Sequence, residues 1–341
     1  MRQTTRFLCV VFLLGPAVAG CGNRNGGAGR PASGTTAGRT AKPRPKPSGG
    51  SVRTEMQGVD FRVDPSVVME IRWLHGELVP TREGQSPWFD DPSSFSVKID
   101  QAEIALTPES MSAMMNNYVF KGPKAPVSDV KIEIAGNRLR QSATLNKAVK
   151  IHTTIEGELS VTPEGDIRLH PVSIKADGLP VKGLLNLFDV ELSEMIKSQE
   201  SRGLRIVEND FILDPERLLP PPRMAGKVTA IRLEGGRIVQ TFGGGPRREP
   251  LKPSFPKADH YMFFRGRELS FGKLTMHGAD LQIIDADPKD PFHFYLAGFK
   301  QQLVAGYSRT MPDGGLASFM PDFDQVGEGN LSPKESSAGS R

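Results

Sequence analysis

From Val149 to Val161 the odd positions read Val, Ile, Thr, Ile, Gly, Leu, Val and the even positions Lys, His, Thr, Glu, Glu, Ser. One face is apolar and the other wet, the period-two pattern of a strand in an antiparallel sheet. At about 3.3 Å per residue this run reaches roughly 43 Å, more than twice a common strand, and predicts an elongated, curved sheet. The run from Asp166 to Ala176 changes face at Pro171: Ile167 and Leu169 point one way, Val172, Ile174 and Ala176 the other. That change predicts a bulge that bends the sheet. Two segments carry helical spacing instead. Thr107-Pro108-Glu109 supplies an N-cap, a first-turn proline and an acid at the positive helix end. Met111, Met114, Met115, Tyr118 and Val119 follow on one stripe. The second helix, from about Gly183 to Lys197, carries Leu184, Leu185, Leu187, Phe188, Val190, Leu192, Met195 and Ile196. Its apolar arc is wider than one packing face uses, so it is either buried on most sides or in contact with a ligand.

An internal repeat connects these pieces. Val97 to Glu109 aligns without gaps to Leu204 to Glu216, each running from a strand to a helix-start signal. Ile132 to Leu139 is echoed by Ile231 to Ile238, which predicts a hairpin in each half.

The N-terminus is of a different kind. Arg2 and Arg6 precede the apolar run Phe7 to Leu14, and Val18-Ala19-Gly20-Cys21 closes it. This order predicts a signal peptide over 1–20 with a lipobox, cleaved so that the mature chain starts at an acylated Cys21. The apolar run is too short to span a bilayer as a helix. One acyl chain holds a protein marginally and two or more hold it firmly, so the chain is expected at a membrane surface through an N-terminal lipid anchor. The two cysteines, Cys9 and Cys21, leave the mature domain without an internal disulfide. Residues 21–57 are rich in Gly, Ser, Thr and Pro and read as a disordered basic tether, with a root-mean-square reach of about 30 Å. Seven basic residues there face one acid, Glu55. The rest of the chain is net acidic, so the sequence pI near 9.0 belongs to the tether. The basic tether either lies on anionic headgroups or wall polymer or serves as a solvated spacer. No basic patch interleaved with aromatics points to nucleic acid.

The strand, Pro-Glu helix start, long hairpins, Leu179-Pro180 leading into an apolar helix, and the strand from Leu204 to Pro215 resemble the LmeA-like phospholipid-binding proteins of bacterial envelopes. More loosely they resemble the tubular lipid-binding (TULIP) superfamily. The match covers residues 60 to 243. The resemblance implies an α+β fold in which a long, highly curved antiparallel sheet wraps one or two apolar helices and holds acyl chains in the groove between them. Residues 58–245 are the expected lipid-binding domain and 258–324 a β-rich C-terminal extension with many aromatics, from Tyr261 and Phe263 to Phe299. That extension lengthens the sheet, caps one end of the tube or forms a small second domain. Residues 325–341 are polar and expected to be disordered.

Methionines are flexible and polarizable, which suits a surface that adapts to variable acyl chains. The groove candidates are Met111, Met114, Met115 and Tyr118; Leu184, Leu185, Phe188, Leu192, Met195 and Ile196; and Val149, Ile151, Ile155, Leu159 and Val161. The same side chains also serve as packed core. Chemistry for catalysis is sparse: the six histidines are scattered, and Glu268-Leu269-Ser270-Phe271-Gly272 misses the nucleophile-elbow pattern at its first position. Nothing in the sequence points to a catalytic role for Asp210 or His170. The run from Asp285 to Asp290 departs from calcium-loop spacing, and Gly243-Gly244-Gly245-Pro246 precedes no helix and reads as a hinge. No enzyme activity, cofactor or metal is expected. The partners expected are a phospholipid or other acyl-chain lipid and the membrane, in the periplasm-facing cell envelope. Gly22 in place of aspartate favours the outer membrane by resemblance to enteric lipoprotein sorting. The alternative is a structural or adaptor lipoprotein that docks an envelope protein and holds no ligand.

Overall fold

Long apolar-polar alternation organises the strands of this chain. The structure is a computed structural model and describes residues 49–146, 149–180, 182, 202–251 and 258–326. The described chain is mostly β-sheet, in two large open sheets with few helices.

The first sheet is built on β1 (Val52–Asp64), β2 (Val67–Pro80) and β3 (Phe95–Leu106). It continues through β14 (Tyr261–Phe271), β15 (Leu274–Asp285), β18 (Leu316–Met320) and β17 (Tyr307–Thr310) on one side. On the other lie β13 (Arg237–Phe242) and β12 (Val228–Glu234). The central strands are long enough to pair with two partners along one edge. β1 meets β14 over Val52 to Gln57, then runs parallel to β16 (Phe292–Tyr295). β3 meets β13 near its end and runs parallel to β11 (Arg223–Ala225) near its start. The second sheet runs β4 (Val127–Ala135), β5 (Arg138–Asn146), β6 (Lys150–Val161), β7 (Ile167–Ala176), β10 (Asp210–Leu213), β9 (Leu204–Val207). The two-residue β8 (Leu179–Pro180) pairs with the end of β7.

The expected bulge is present: Glu156 faces Ser173 and Gly157 faces Pro171, leaving Val172 as the extra residue. Val172 is thrown outward and 42% exposed, and the inserted residue restores Ile174 to the buried side with Ile167 and Leu169. The face change at Pro171 is therefore undone within two residues, because a bulge shifts parity by one.

The helix α1 (Pro108–Met114) starts where the capping signals place it, with Thr107 Oγ1 accepting from Ser110 N at 3.0 Å. It runs on into a π-turn, Met115–Val119. Polar side chains stitch it between the sheets: Ser110 Oγ accepts from Val68 N on β2 at 3.2 Å, and Ser112 Oγ from Ile132 N on β4 at 2.8 Å. Asn116 exchanges two hydrogen bonds with the Val130 backbone, at 2.8 and 3.0 Å. Met111, Met114, Met115 and Val119 face a single apolar cluster that spans both sheets. The second expected helix, with Leu184, Leu185, Phe188, Leu192, Met195 and Ile196, lies outside the described residues, as do Cys21 and the signal peptide.

Two expectations need correction, and a third is decided among its alternatives. Val52 to Gln57, inside the stretch 21–57 expected to be a disordered tether, form the first half of β1, with Val52 and Met56 buried. The second copy of the repeat is not a continuous strand. Glu208 adopts φ +55°, and a turn there folds β9 against β10. Asn209, a turn-favouring residue, stands where the first copy has buried Ala102. The C-terminal aromatics extend the first sheet, with Phe264, Phe292 and Phe294 fully buried in the main core. Gln302 seals that region by donating to His293 O and Pro321 O and accepting from Tyr295 N.

Candidate functional site

The inner face of the first sheet meets the connector 219–224, and two apolar cavities lie along that line. The first is bounded by Met56, Phe61 and Val97 of the sheet and by Pro220 and Pro222. The second lies between Ile99 and Leu106 of β3, Met111 and Met114 of α1, Ile167 of β7 and Leu218 of α2 (Pro215–Leu218). Met69, Leu219 and Met224 border both, so the cavities adjoin as one seam. Five of the chain's 12 methionines line it, and Gln240 is its only polar side chain among the described residues.

The seam is narrow. The two cavities measure about 20 and 40 Å³, room for a few water-sized spheres and too little for an acyl chain at rest. Its walls differ in how easily they yield. One wall is the long-stranded sheet, whereas the connector is held to the sheet through the three residues of β11. Few backbone pairs and flexible thioethers are the features that allow local opening.

The sequence candidates divide accordingly. Met111 and Met114 line the seam. Met115 and Ile155 are buried in the same cluster without reaching it, and Ile151, Leu159 and Val161 pack partly buried against that cluster. Tyr118 packs partly buried against that cluster without lining the seam, and its hydroxyl donates to Asp64, which also accepts from Ser66 N and Val67 N at the β1–β2 turn. Burial works to raise the Asp64 pKa, but the Tyr118 and Ser66 hydrogen bonds outweigh it and hold the carboxyl below its ordinary range. Val149 is 72% exposed, one residue before the pairing of β6 with β5 begins at Lys150.

Sequence reasoning missed Met56, Met69, Leu219 and Met224. Met56 sits in what composition marks as tether. Met69 belongs to an alternation that changes parity, Val67-Met69-Ile71 then Leu74 and Leu78, across a bulge at Arg72. Such a parity switch is the signal that locates the strand and its inward face.

Other polar clusters are also assembled. His170 Nδ1 lies 2.7 Å from Asp210 Oδ1, on an exposed part of β7 and β10. Glu55 and His75 form a buried pair at 3.2 Å on the outer face of the first sheet, beneath Leu251, whose N donates to Glu55 Oε1 at 2.6 Å. Glu55 Oε2 and His75 Nε2 make no hydrogen bond. Gln101 holds the segment after β13 in place by donating to Gly244 O and Pro246 O. Among the described residues no group of three or more His, Cys, Asp or Glu could hold a metal ion, and no helix is long and apolar enough to cross a membrane. No family model, curated protein or solved structure matches the chain.

Proposed function

We propose that this chain is a membrane-anchored envelope lipoprotein, acylated at Cys21, that takes an acyl chain of a phospholipid-like molecule into the methionine-lined seam, for lipid transport or envelope maintenance. The reading places it on the periplasm-facing side of the envelope, at the outer membrane. One observation carries it: two adjoining apolar cavities, lined by Met56, Met69, Met111, Met114 and Met224, lie along a connector joined to the sheet by three residues. Widening the seam costs core contacts, and an entering hydrocarbon replaces them with its own, at roughly 0.8 kcal/mol per buried CH₂. The resemblance of the sequence to tubular lipid-binding proteins implies the same ligand class. The test is lipid extraction and mass spectrometry of protein purified from its native envelope. A stoichiometric acyl lipid beyond the chains on Cys21 is the predicted result, and repeatedly empty protein contradicts it.

A second reading has its own support. The small volume of the seam favours a structural or adaptor lipoprotein whose core is closed by its own side chains. Under that reading an acyl probe gains no affinity when the seam is enlarged.

A further inference from the structure

We propose that one end of the second sheet is a docking tip for an anionic lipid surface, separate from the seam and independent of whether the seam holds a lipid. Pairing brings three pieces of chain together there. β4 begins opposite the end of β5, Val127 against Leu145; β6 begins opposite that same end, Lys150 against Asn146; and β7 ends beside the start of β6, Ala176 against Thr153. The Asp177-Gly178 turn, with φ of +47° and +81°, then folds β8 back onto β7, the left-handed geometry that a two-residue hairpin requires. The pieces are fixed in place. Asn146 N donates to Pro126 O at 2.8 Å, and Asp177 N donates to His152 O at 2.7 Å while its Oδ1 accepts from His152 N at 3.1 Å.

This end presents an unusual pair of features to solvent. Val149, which immediately precedes β6, and Leu179, which opens β8, are 72% and 71% exposed. Beside them stand the exposed Lys150, opposite Asn146, and Lys175, opposite Pro180, with Lys124 next to Ala125, whose O accepts from Asn146 Nδ2 at 3.0 Å; the three form no salt bridge among the described residues. The nearby acids are engaged locally, Asp177 with His152 and Asp129 with Ser128 Oγ at 2.9 Å. Beyond the tether the chain is net acidic, so this concentration of unpaired lysine is local.

Charge complementarity selects the occupant. Protein interfaces are depleted in lysine and enriched in aromatics and arginine, the reverse of this tip. Aliphatic side chains that enter the acyl boundary, ringed by lysines that meet headgroup phosphates, are the elements of interfacial membrane binding.

The experiment uses the full 341-residue chain made by cell-free synthesis, so that Cys21 carries no acyl group. Its co-sedimentation is measured with phosphatidylglycerol-containing vesicles and with phosphatidylcholine vesicles. Because the basic tether also favours anionic vesicles, the proposal is read from what the tip variants lose relative to the parent on phosphatidylglycerol vesicles, and partition unchanged in both variants overturns it. It expects Lys150→Gln/Lys175→Gln to weaken that partition on the order of tenfold, and Val149→Asp/Leu179→Asp to weaken it several-fold, with circular dichroism and melting unchanged. Equal binding to the two vesicle types overturns it. So does a lysine-only effect in which the aspartate variant binds like the parent, the pattern of an acidic polymer or protein partner. Vesicle binding is read without lipid extraction, so cargo-free protein that still sediments removes the seam proposal and leaves this one standing.

Discussion

Asp285→Asn should stabilise the protein at alkaline pH and leave it nearly unchanged in acid. Asp285 closes β15 and is 5% exposed. Its Oδ1 accepts from Asp287 N at 2.9 Å, and its Oδ2 has no hydrogen-bond partner. Burial pushes its pKa up to about 7; the Asp287 N–H opposes the shift, and the charges of Asp322, Asp287 and Asp290 add to it. A carboxyl raised in the folded state binds its proton more tightly there than in the unfolded chain. Its contribution is therefore fully favourable below pH 3.8 and is lost as pH rises through about 7. A shift of about three pH units corresponds to about 4 kcal/mol. Water at the exposed end of the turn trims this, so a gain of about 2–4 kcal/mol above pH 8 is the expected size for the neutral isostere. Asparagine keeps an oxygen for Asp287 N and removes the buried charge. Urea melts of parent and variant at pH 5 and pH 8.5 provide the measurement. If the difference between the two proteins is the same at both pH values, a buried charge at Asp285 is the wrong explanation.

Three other substitutions test separate parts of the account. Met224→Ala, which enlarges the seam from the connector side, should cost about 2–4 kcal/mol in the empty protein; a fluorescent fatty-acid probe should bind it more tightly than the parent and restore part of that loss. His75→Leu should cost about 1–3 kcal/mol in chemical denaturation, because the buried Glu55 loses its side-chain partner. The double substitution Glu55→Met/His75→Leu should recover part of the loss. Thr107→Ala, which deletes the cap on Ser110 N, should cost about 1 kcal/mol in thermal or urea melts.

Local features of this fold could be read from the sequence, and long-range ones could not. The start of α1 was legible because Thr107, Pro108 and Glu109 act on the first turn alone, and the hairpins at Gly136-Asn137 and Gly235-Gly236 because turn chemistry is equally local. The bulge at Val172 showed itself as a break in alternation around Pro171. Sharing of one strand edge between two partners, as where β1 pairs with both β14 and β16, left no periodic trace, since it depends on strands more than 200 residues apart. The site was half visible for the same reason. Met111 and Met114 stood out on a helical stripe, whereas Met69 lay on a strand whose parity flips at Arg72, and Met56 and Met224 flank Pro- and Gly-rich chain that reads as linker or loop. Tyr118 shares the stripe of Met111 and Met114, yet a single hydrogen bond to Asp64 assigns it to the β1–β2 turn.

The central claim is that hydrocarbon enters the seam beneath residues 219–224. Photo-crosslinking addresses it most directly, with a phospholipid carrying a diazirine on its acyl chain incorporated into membranes that hold the anchored protein, followed by peptide mapping. The account predicts label on the peptides bearing Met69 and Met224, reduced when Leu219→Trp fills the seam. Label confined to the N-terminal tether, or none within the sheets, would contradict it.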